Sequence, residues 1–168
     1  MDRRVRAFAA AAVVTAILTS AAGALAASDK FKPFKLRAVD GRQVALTDVL
    51  GRATLVVFFF PTCPYCNAAL PHLQRIYDAH KDAGLAMVLI NVVPAEDRLV
   101  AGWQAAHSYT APVLLSSRSI ADDYRVTMTP THYLLSADGR ILNAHAGYTP
   151  GDEKLIDREV VAALKEEP

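Results

Sequence analysis

The chain has 168 residues, with 18 Lys and Arg against 17 Asp and Glu, so its formal net charge is only +1. Near-neutrality argues against a nucleic-acid-binding protein, and 52% hydrophobic against 21% charged residues excludes a disordered chain. The two cysteines are Cys63 and Cys66, so a disulfide between them would close one short local loop and would not staple the fold.

The first segment has the composition of a secretory signal peptide. Three arginines within the first six residues precede an Ala-rich apolar run, and Ala24 and Ala26 form an A-x-A cleavage site. We therefore expect residues 1–26 to be removed on export, which leaves residues 27–168 as one domain in the periplasm or another extracytoplasmic compartment. The alternative is an uncleaved membrane anchor, because residues 7–27 are mostly apolar and long enough to span a bilayer. Only in that case do we expect contact with a membrane.

The mature chain begins with hairpin and strand signals. Asp40 and Gly41 separate two short apolar runs and predict an N-terminal hairpin, with Thr47 as the cap of a short turn after it. Residues 54–60 read T-L-V-V-F-F-F, a β-branched and aromatic run without polar alternation. Such a run predicts a central strand that is buried on both faces.

The two cysteines come directly after this strand. Apolar side chains then recur at helical spacing, at Cys66, Leu70, Leu73 and Tyr77. We therefore predict a helix over residues 63–81, with a kink at Pro71 because proline cannot donate a backbone hydrogen bond. The cysteine pair thus begins a helix that follows a core strand.

The rest of the chain alternates between strands and helices. Predicted strands cover residues 85–92, 113–115, 131–135 and 141–145, and predicted helices cover residues 96–107, 119–124 and 151–166. The expected buried stripes are Leu99, Trp103 and Ala106 on the first of these helices and Ile156, Val160, Ala163 and Leu164 on the last. This order predicts an α/β fold with a mixed sheet and helices on both of its faces.

The context of the cysteine pair points to redox chemistry. A strand followed by P-T-C-P-Y-C and a helix is typical of a redox-active pair and not of half a zinc site. A sulfur at a helix N-terminus faces free backbone N–H groups and the positive end of the helix dipole, which favour thiolate. We expect Cys63 to be the more exposed nucleophile and Cys66 to resolve the mixed disulfide. Pro64 suits the first position of the helix.

Four separated features together resemble the thioredoxin fold over residues 34–164. They are C-P-Y-C after the central strand, Pro71 in the following helix, the loop Thr129-Pro130-Thr131, and Gly147 after the closing hairpin. The resemblance implies a thioredoxin-like three-layer fold, here with an N-terminal hairpin and an extra βα insertion over residues 85–107.

The sequence L-T-D-V-L-G-R and the βα insertion are similar to the TlpA/ResA-type subfamily of exported thiol–disulfide oxidoreductases. This resemblance implies a reductase of disulfides in exported proteins, with cytochrome c maturation as one setting. It also implies a membrane electron donor of the DsbD/CcdA type and no cofactor besides the Cys63–Cys66 disulfide, and we expect a monomer. A disulfide-donating oxidase or isomerase is the alternative, because the dipeptide between the cysteines tunes the reduction potential widely.

The same resemblance assigns roles to residues around the cysteines. Carried over by position, Pro130 would follow a cis peptide bond and lie beside the sulfurs. Thr129 would offer its backbone to an extended substrate chain. Pro64 and Tyr65 lie between the cysteines, where they could contact the substrate; for Tyr65 the alternative is an exposed tyrosine at a helix start without that role.

Two acidic positions that are usual in such proteins are missing here. Thioredoxins carry a buried Asp at the position of Val57, and ResA-like proteins carry a Glu at the position of Ala69, each serving the resolving thiol. We therefore hypothesise that deprotonation of Cys66 is either unassisted or assisted by Glu96 or Asp97 from the inserted loop.

Two other functions share this fold. A copper-binding chaperone would need a histidine beside the pair, and His132, two residues after Pro130, could approach the sulfurs. We expect no metal, because those chaperones resemble C-x-x-x-C. Peroxidases of this fold place a threonine three residues and a proline seven residues before the reactive cysteine. Before Cys63 those positions hold Phe60 and Val56, and before Cys66 they hold Cys63 and Phe59, so neither cysteine fits this pattern.

Overall fold

The computed structural model describes residues 30–115 and 118–166, and the predicted signal peptide lies outside them. The strands are β1 (Lys35–Arg37), β2 (Gln43–Ala45), β3 (Ala53–Phe59), β4 (Leu85–Asn91), β5 (Val113–Leu114), β6 (Thr131–Ser136) and β7 (Ile141–Ala146). The helices are α1 (Leu46–Val49), α2 (Pro64–His80), α3 (Asp97–His107), α4 (Arg118–Asp123) and α5 (Asp152–Lys165). Strands β1 and β2 form the predicted antiparallel hairpin.

The five remaining strands form one mixed sheet in the order β5-β4-β3-β6-β7. Strand β3 lies at its centre, parallel to β4 and antiparallel to β6, and every residue of β3 is buried. Its β-branched and aromatic side chains suit this position because they pack on both faces of a pleated surface. The mixed central sheet predicted from the sequence is confirmed.

The alternation of side chains along β3 separates two core layers. Leu55, Val57 and Phe59 face the layer that contains both cysteines and the buried sides of α2, α3 and α5. Val56 and Phe58 face the opposite layer, which is closed by the hairpin, α1 and α4. Helices therefore cover both faces of the sheet, as expected for the three-layer thioredoxin-like fold. Among the described residues, no helix has the length and apolar character needed to cross a membrane.

Two local details differ from the sequence-based expectation. The cap of α1 is Ala45 and not Thr47, because the helix begins at Leu46 and the Asp48 carboxylate accepts the Ala45 N–H at 2.8 Å. On α3 the buried residues are Val100 and Trp103, whereas Leu99 and Ala106 are exposed.

The stripe of α3 is offset because the ring of Trp103 stacks on Phe59 of β3, with ring centroids 4.5 Å apart. This contact turns Val100, three residues earlier, towards the same layer. The predicted face of α5 is correct, and helix α2 continues past Pro71 to His80. All four expected residues of α5 are buried: Ile156, Val160, Ala163 and Leu164.

Candidate active site

The two cysteines are joined by a disulfide at the start of α2. Cys63 is the N-cap residue in an extended conformation, and Pro64 occupies the first helical turn, where its missing N–H costs nothing. The Cys66 backbone N–H donates to Cys63 Sγ at 3.1 Å, and the Asn67 N–H donates to the Cys63 carbonyl at 3.0 Å. The sulfur of Cys63 therefore lies at the electropositive end of a helix of 17 residues.

The two cysteines are almost equally buried, but the residues around them differ. Cys63 is 2% exposed and Cys66 is 0% exposed, so Cys63 is less accessible in the disulfide form than the sequence suggested. Cys63 nevertheless lies among exposed residues, namely Thr62, Pro64 and Tyr65, and the side chain of Tyr65 is 64% exposed. Cys66 points into the core layer below β3.

The loop before β6 reaches the sulfur of Cys63. The Thr129–Pro130 peptide bond is cis, which agrees with the isomer expected from the resemblance. The Thr129 hydroxyl donates to Cys63 Sγ at 3.4 Å, and the Thr129 carbonyl oxygen lies 3.7 Å from the same sulfur. Gly147 supports this loop by donating its N–H to the Pro130 carbonyl at 2.8 Å, with a φ of +84° that favours glycine.

A carboxylate lies on the other side of the cysteine loop. Glu96 accepts the Thr62 N–H at 3.1 Å and the Thr62 hydroxyl at 2.7 Å. Asp97 accepts from the Asn91 side chain at 2.8 Å. Glu96 thus holds Thr62, the residue that precedes Cys63, and Asp97 is engaged by Asn91.

Two residues that the sequence did not single out for the site position this loop. Asn67 donates from its side chain to the Pro61 carbonyl at 3.0 Å, and it accepts the indole N–H of Trp103 at 3.0 Å. Trp103, which the sequence suggested only as core, therefore links α3 to the first turn of α2. No local sequence signal indicates this bond, because it depends on how the two helices pack.

The sequence suggested that His132 could approach the sulfurs. It lies on β6 and is only 3% exposed, and neither ring nitrogen has a hydrogen-bond partner among the described residues. The pKa of His132 is lowered from 6.5 to about 4, mainly by burial and to a smaller extent by the neighbouring His145, while Asp152 opposes the shift. Within residues 30–115 and 118–166, no group of three or more His, Cys, Asp or Glu side chains could hold a metal ion.

Comparison with known proteins agrees with this geometry. The family model described as the AhpC/TSA family matches residues 27–144. The chain is 28% identical over 117 residues to sporulation thiol-disulfide oxidoreductase A of Bacillus subtilis (strain 168), with 68% of this chain and 70% of that protein covered. It is 24% identical over 115 residues to the thiol-disulfide oxidoreductase ResA of Halalkalibacterium halodurans, with 68% and 65% covered.

Solved structures give the same result for the fold. A crystal structure from Chlorobium tepidum, assigned to the thiol:disulfide interchange protein DsbE, superposes with a TM-score of 0.76 at 25% identity and covers 82% of this chain and 96% of that chain. StoA from Bacillus subtilis superposes with a TM-score of 0.63 at 25% identity and covers 77% and 97%. The thioredoxin-like fold predicted from the sequence is confirmed.

Proposed function

We propose that this chain, which belongs to the AhpC/TSA family and is a thiol–disulfide oxidoreductase of the ResA/StoA type, reduces disulfides in exported proteins outside the cytoplasm. The observation that carries the proposal is the Cys63–Cys66 disulfide at the N-terminus of α2, in contact with Thr129 of the cis-proline loop. The pair itself carries the two electrons, so the reaction needs no cofactor.

The reaction has two exchange steps. In the reduced protein, the Cys63 thiolate attacks one sulfur of a substrate disulfide and forms a mixed disulfide, while the other substrate sulfur leaves as a thiolate. The Cys66 thiolate then attacks Cys63 Sγ, the substrate is released as its second thiol, and the Cys63–Cys66 disulfide forms. Cys63 attacks first because it caps the helix and lies among exposed residues, whereas Cys66 is enclosed in the core layer.

Residues around Cys63 provide a surface for the substrate. The exposed ring of Tyr65 and the ring of Pro64 offer apolar contact beside the attacking sulfur. Thr129 lies within 3.7 Å of Cys63 Sγ through its carbonyl oxygen, so its backbone can pair with an extended substrate segment at the reacting sulfur. Pro130 follows Thr129 in the same loop, and its carbonyl accepts the Gly147 N–H at 2.8 Å.

The charge near Cys63 favours the reductase direction. A couple becomes more oxidising when its reduced form, with a stable thiolate, is stabilised. Here the Glu96 carboxylate is bound to the residue before Cys63, and a negative charge at this place disfavours a second anion on the sulfur. The dithiol is therefore less stable than it would be without Glu96, and the protein donates electrons more readily.

The reduction potential of the pair tests this direction. It is measured on the domain without residues 1–26, by titration with glutathione or dithiothreitol and alkylation of free thiols. A value near or below about −270 mV supports the reductase, whereas a value near about −120 mV contradicts it and assigns the chain to disulfide donation, with isomerases between these limits.

Location and partners follow from the same proposal. The signal-like residues 1–26 would direct the chain out of the cytoplasm, where a membrane thiol-transfer protein of the DsbD/CcdA type would return electrons to the pair. Substrates would be oxidised exported proteins, including those of cytochrome c maturation, and the chain would act as a monomer. Mass spectrometry of the protein recovered from the host tests cleavage after Ala26, because an anchored chain keeps its first 26 residues.

A Cys66→Ser variant tests the partners, because it retains Cys63 and cannot resolve mixed disulfides. Expressed in the host, it should form adducts with exported proteins that dithiothreitol releases, while a Cys63→Ser variant should form none. Equal adducts from both variants would contradict the assigned order of the two cysteines.

A further inference from the structure

A buried histidine lacks the partners that its position demands. His132 is 3% exposed, and both of its ring nitrogens are enclosed without a hydrogen bond to any part of the chain that the structure describes. Buried polar groups are nearly always paired, so an unpaired one indicates strain or a function that needs the free atom. His72, His80, His107 and His145 all have polar partners in the structure, which sets His132 apart.

The register of the sheet places His132 in the layer of the cysteines. On β6 it lies directly opposite Val57 of β3, and opposed residues of an antiparallel pair point to the same face. Val57 belongs to the core cluster that contains both cysteines, and so does Leu134, two residues after His132. The strand that carries His132 follows Thr129, which contacts Cys63 Sγ.

The groups that face His132 leave its ring neutral near pH 7. Strand β3 contributes the apolar Val57, and β7 contributes His145, whose ring stacks on His132 at 4.9 Å. On α5, Glu159 binds His145 Nε2 at 2.8 Å, and Asp152 is the only acid with a resolved electrostatic effect on His132 among the described residues. Helix α2 covers the same side of the sheet and carries Cys66. A neutral imidazole always has one unprotonated nitrogen, so His132 offers a buried acceptor in this layer.

We propose that His132 accepts the proton of the Cys66 thiol when the mixed disulfide is resolved, and this inference rests on the proposed function. The Cys66 proton moves to the unprotonated ring nitrogen, and the resulting thiolate attacks Cys63 Sγ. The bond between Cys63 and the substrate sulfur breaks, and the substrate leaves as a thiolate. The imidazolium then gives its proton to that thiolate or to water, and His132 returns to its neutral form.

The proposal replaces the acids suggested by the sequence. Glu96 is engaged by Thr62, and Asp97 accepts from Asn91, whereas the ring nitrogens of His132 have no competing bond. The imidazolium that forms during the step lies beside a new thiolate, so the charge that burial disfavours gains a counterion at that moment.

A direct test measures the thiolate of Cys66 in a Cys63→Ser background, where Cys66 is the single thiol. The pH titration of ultraviolet thiolate absorbance is compared with and without His132→Gln. We expect about tenfold less thiolate at a given pH after the substitution, a shift of about one unit in the midpoint. The matched control is His80→Gln, which removes an imidazole paired with Asp157 near the far end of α2 and should leave the midpoint unchanged. An unchanged midpoint in the His132 variant overturns the proposal.

A second measurement uses the unsubstituted protein and so does not depend on how the variant folds. The ring of His132 is titrated by nuclear magnetic resonance in the disulfide and dithiol forms. We expect its midpoint to fall on reduction, because an S–H of Cys66 that donates to the ring stabilises the neutral imidazole, and the same midpoint in both forms overturns the proposal. Neither measurement depends on the direction of electron flow, so a reduction potential in the range of disulfide-donating proteins would refute the reductase and leave this inference standing.

Discussion

Removing the Thr129 hydroxyl should make the Cys63 thiolate harder to form. Thr129→Val retains the shape of the side chain but loses the donor that lies 3.4 Å from Cys63 Sγ. After reduction the acceptor becomes an anion, but the contact is long, so we assign it about 1 kcal/mol, below the roughly 1.5–3 kcal/mol of hydrogen bonds to charged groups. One unit of titration midpoint corresponds to about 1.4 kcal/mol, so the midpoint of thiolate formation should rise by about 0.7 unit.

The assay is the rate of alkylation by iodoacetamide in the reduced protein as a function of pH, which follows the thiolate of Cys63 because Cys66 is enclosed. Thr131→Val is the matched control, since the Thr131 hydroxyl belongs to the same loop but donates to the Met128 carbonyl at 2.8 Å. It should cost about 1 kcal/mol of unfolding free energy and leave the midpoint unchanged. The reasoning is refuted if Thr129→Val titrates like the parent, or if both variants shift alike.

Three further variants probe the surroundings of the pair. The unfolded chain binds a proton at His132 near pH 6.5, whereas the folded chain binds it only at about pH 4. The free energy of unfolding should therefore fall as the pH drops through this window, by up to about 3 kcal/mol. Urea denaturation of His132→Leu should lack this part of the pH dependence. Glu96→Gln removes a half-exposed negative charge, so it should lower the pH midpoint of Cys63 alkylation by less than about one unit and raise the reduction potential of the pair. An unchanged or lower reduction potential would contradict the role of Glu96. Trp103→Phe loses the bond to Asn67 and should cost about 1 kcal/mol in urea denaturation; an unchanged midpoint would show that the bond contributes nothing.

The elements that carry the cysteines were predictable because local and tertiary requirements coincide there. Strand β3 consists of small, β-branched, aliphatic and aromatic residues, and every position is buried, so its pattern predicts a central strand without ambiguity. Helix α2 has Pro64 at its start and an apolar stripe that continues to its last turns, and the face of α5 repeats without ambiguity. Cys63 lies between β3 and Pro64, the first residue of α2, and its position as N-cap follows directly from that placement.

The details that sequence analysis missed depend on contacts between distant segments. On α3, two apolar stripes share Trp103, and only the ring of Phe59 beneath it selects the one with Val100. The bond from Thr62 to Glu96 joins residues 34 positions apart, and it requires the path of the chain after β4. The sequence did suggest that His132 could approach the sulfurs, but the face on which it lies depends on the register of β6 against β3, which a slip of one residue would reverse.

The two cysteines require opposite environments, and the distribution of ionisable groups meets both. Cys63 has to be a stable thiolate before the substrate arrives, so it receives hydrogen bonds from the Cys66 N–H and the Thr129 hydroxyl, while Glu96 limits that stability from the other side of the loop. Cys66 has to remain a thiol until the mixed disulfide exists, and its place in an apolar layer disfavours its anion. A carboxylate at Val57 would add a second negative charge to this layer. A neutral imidazole on the neighbouring strand can accept the same proton without adding a negative charge. We therefore expect the titration of His132 to change when the pair is reduced.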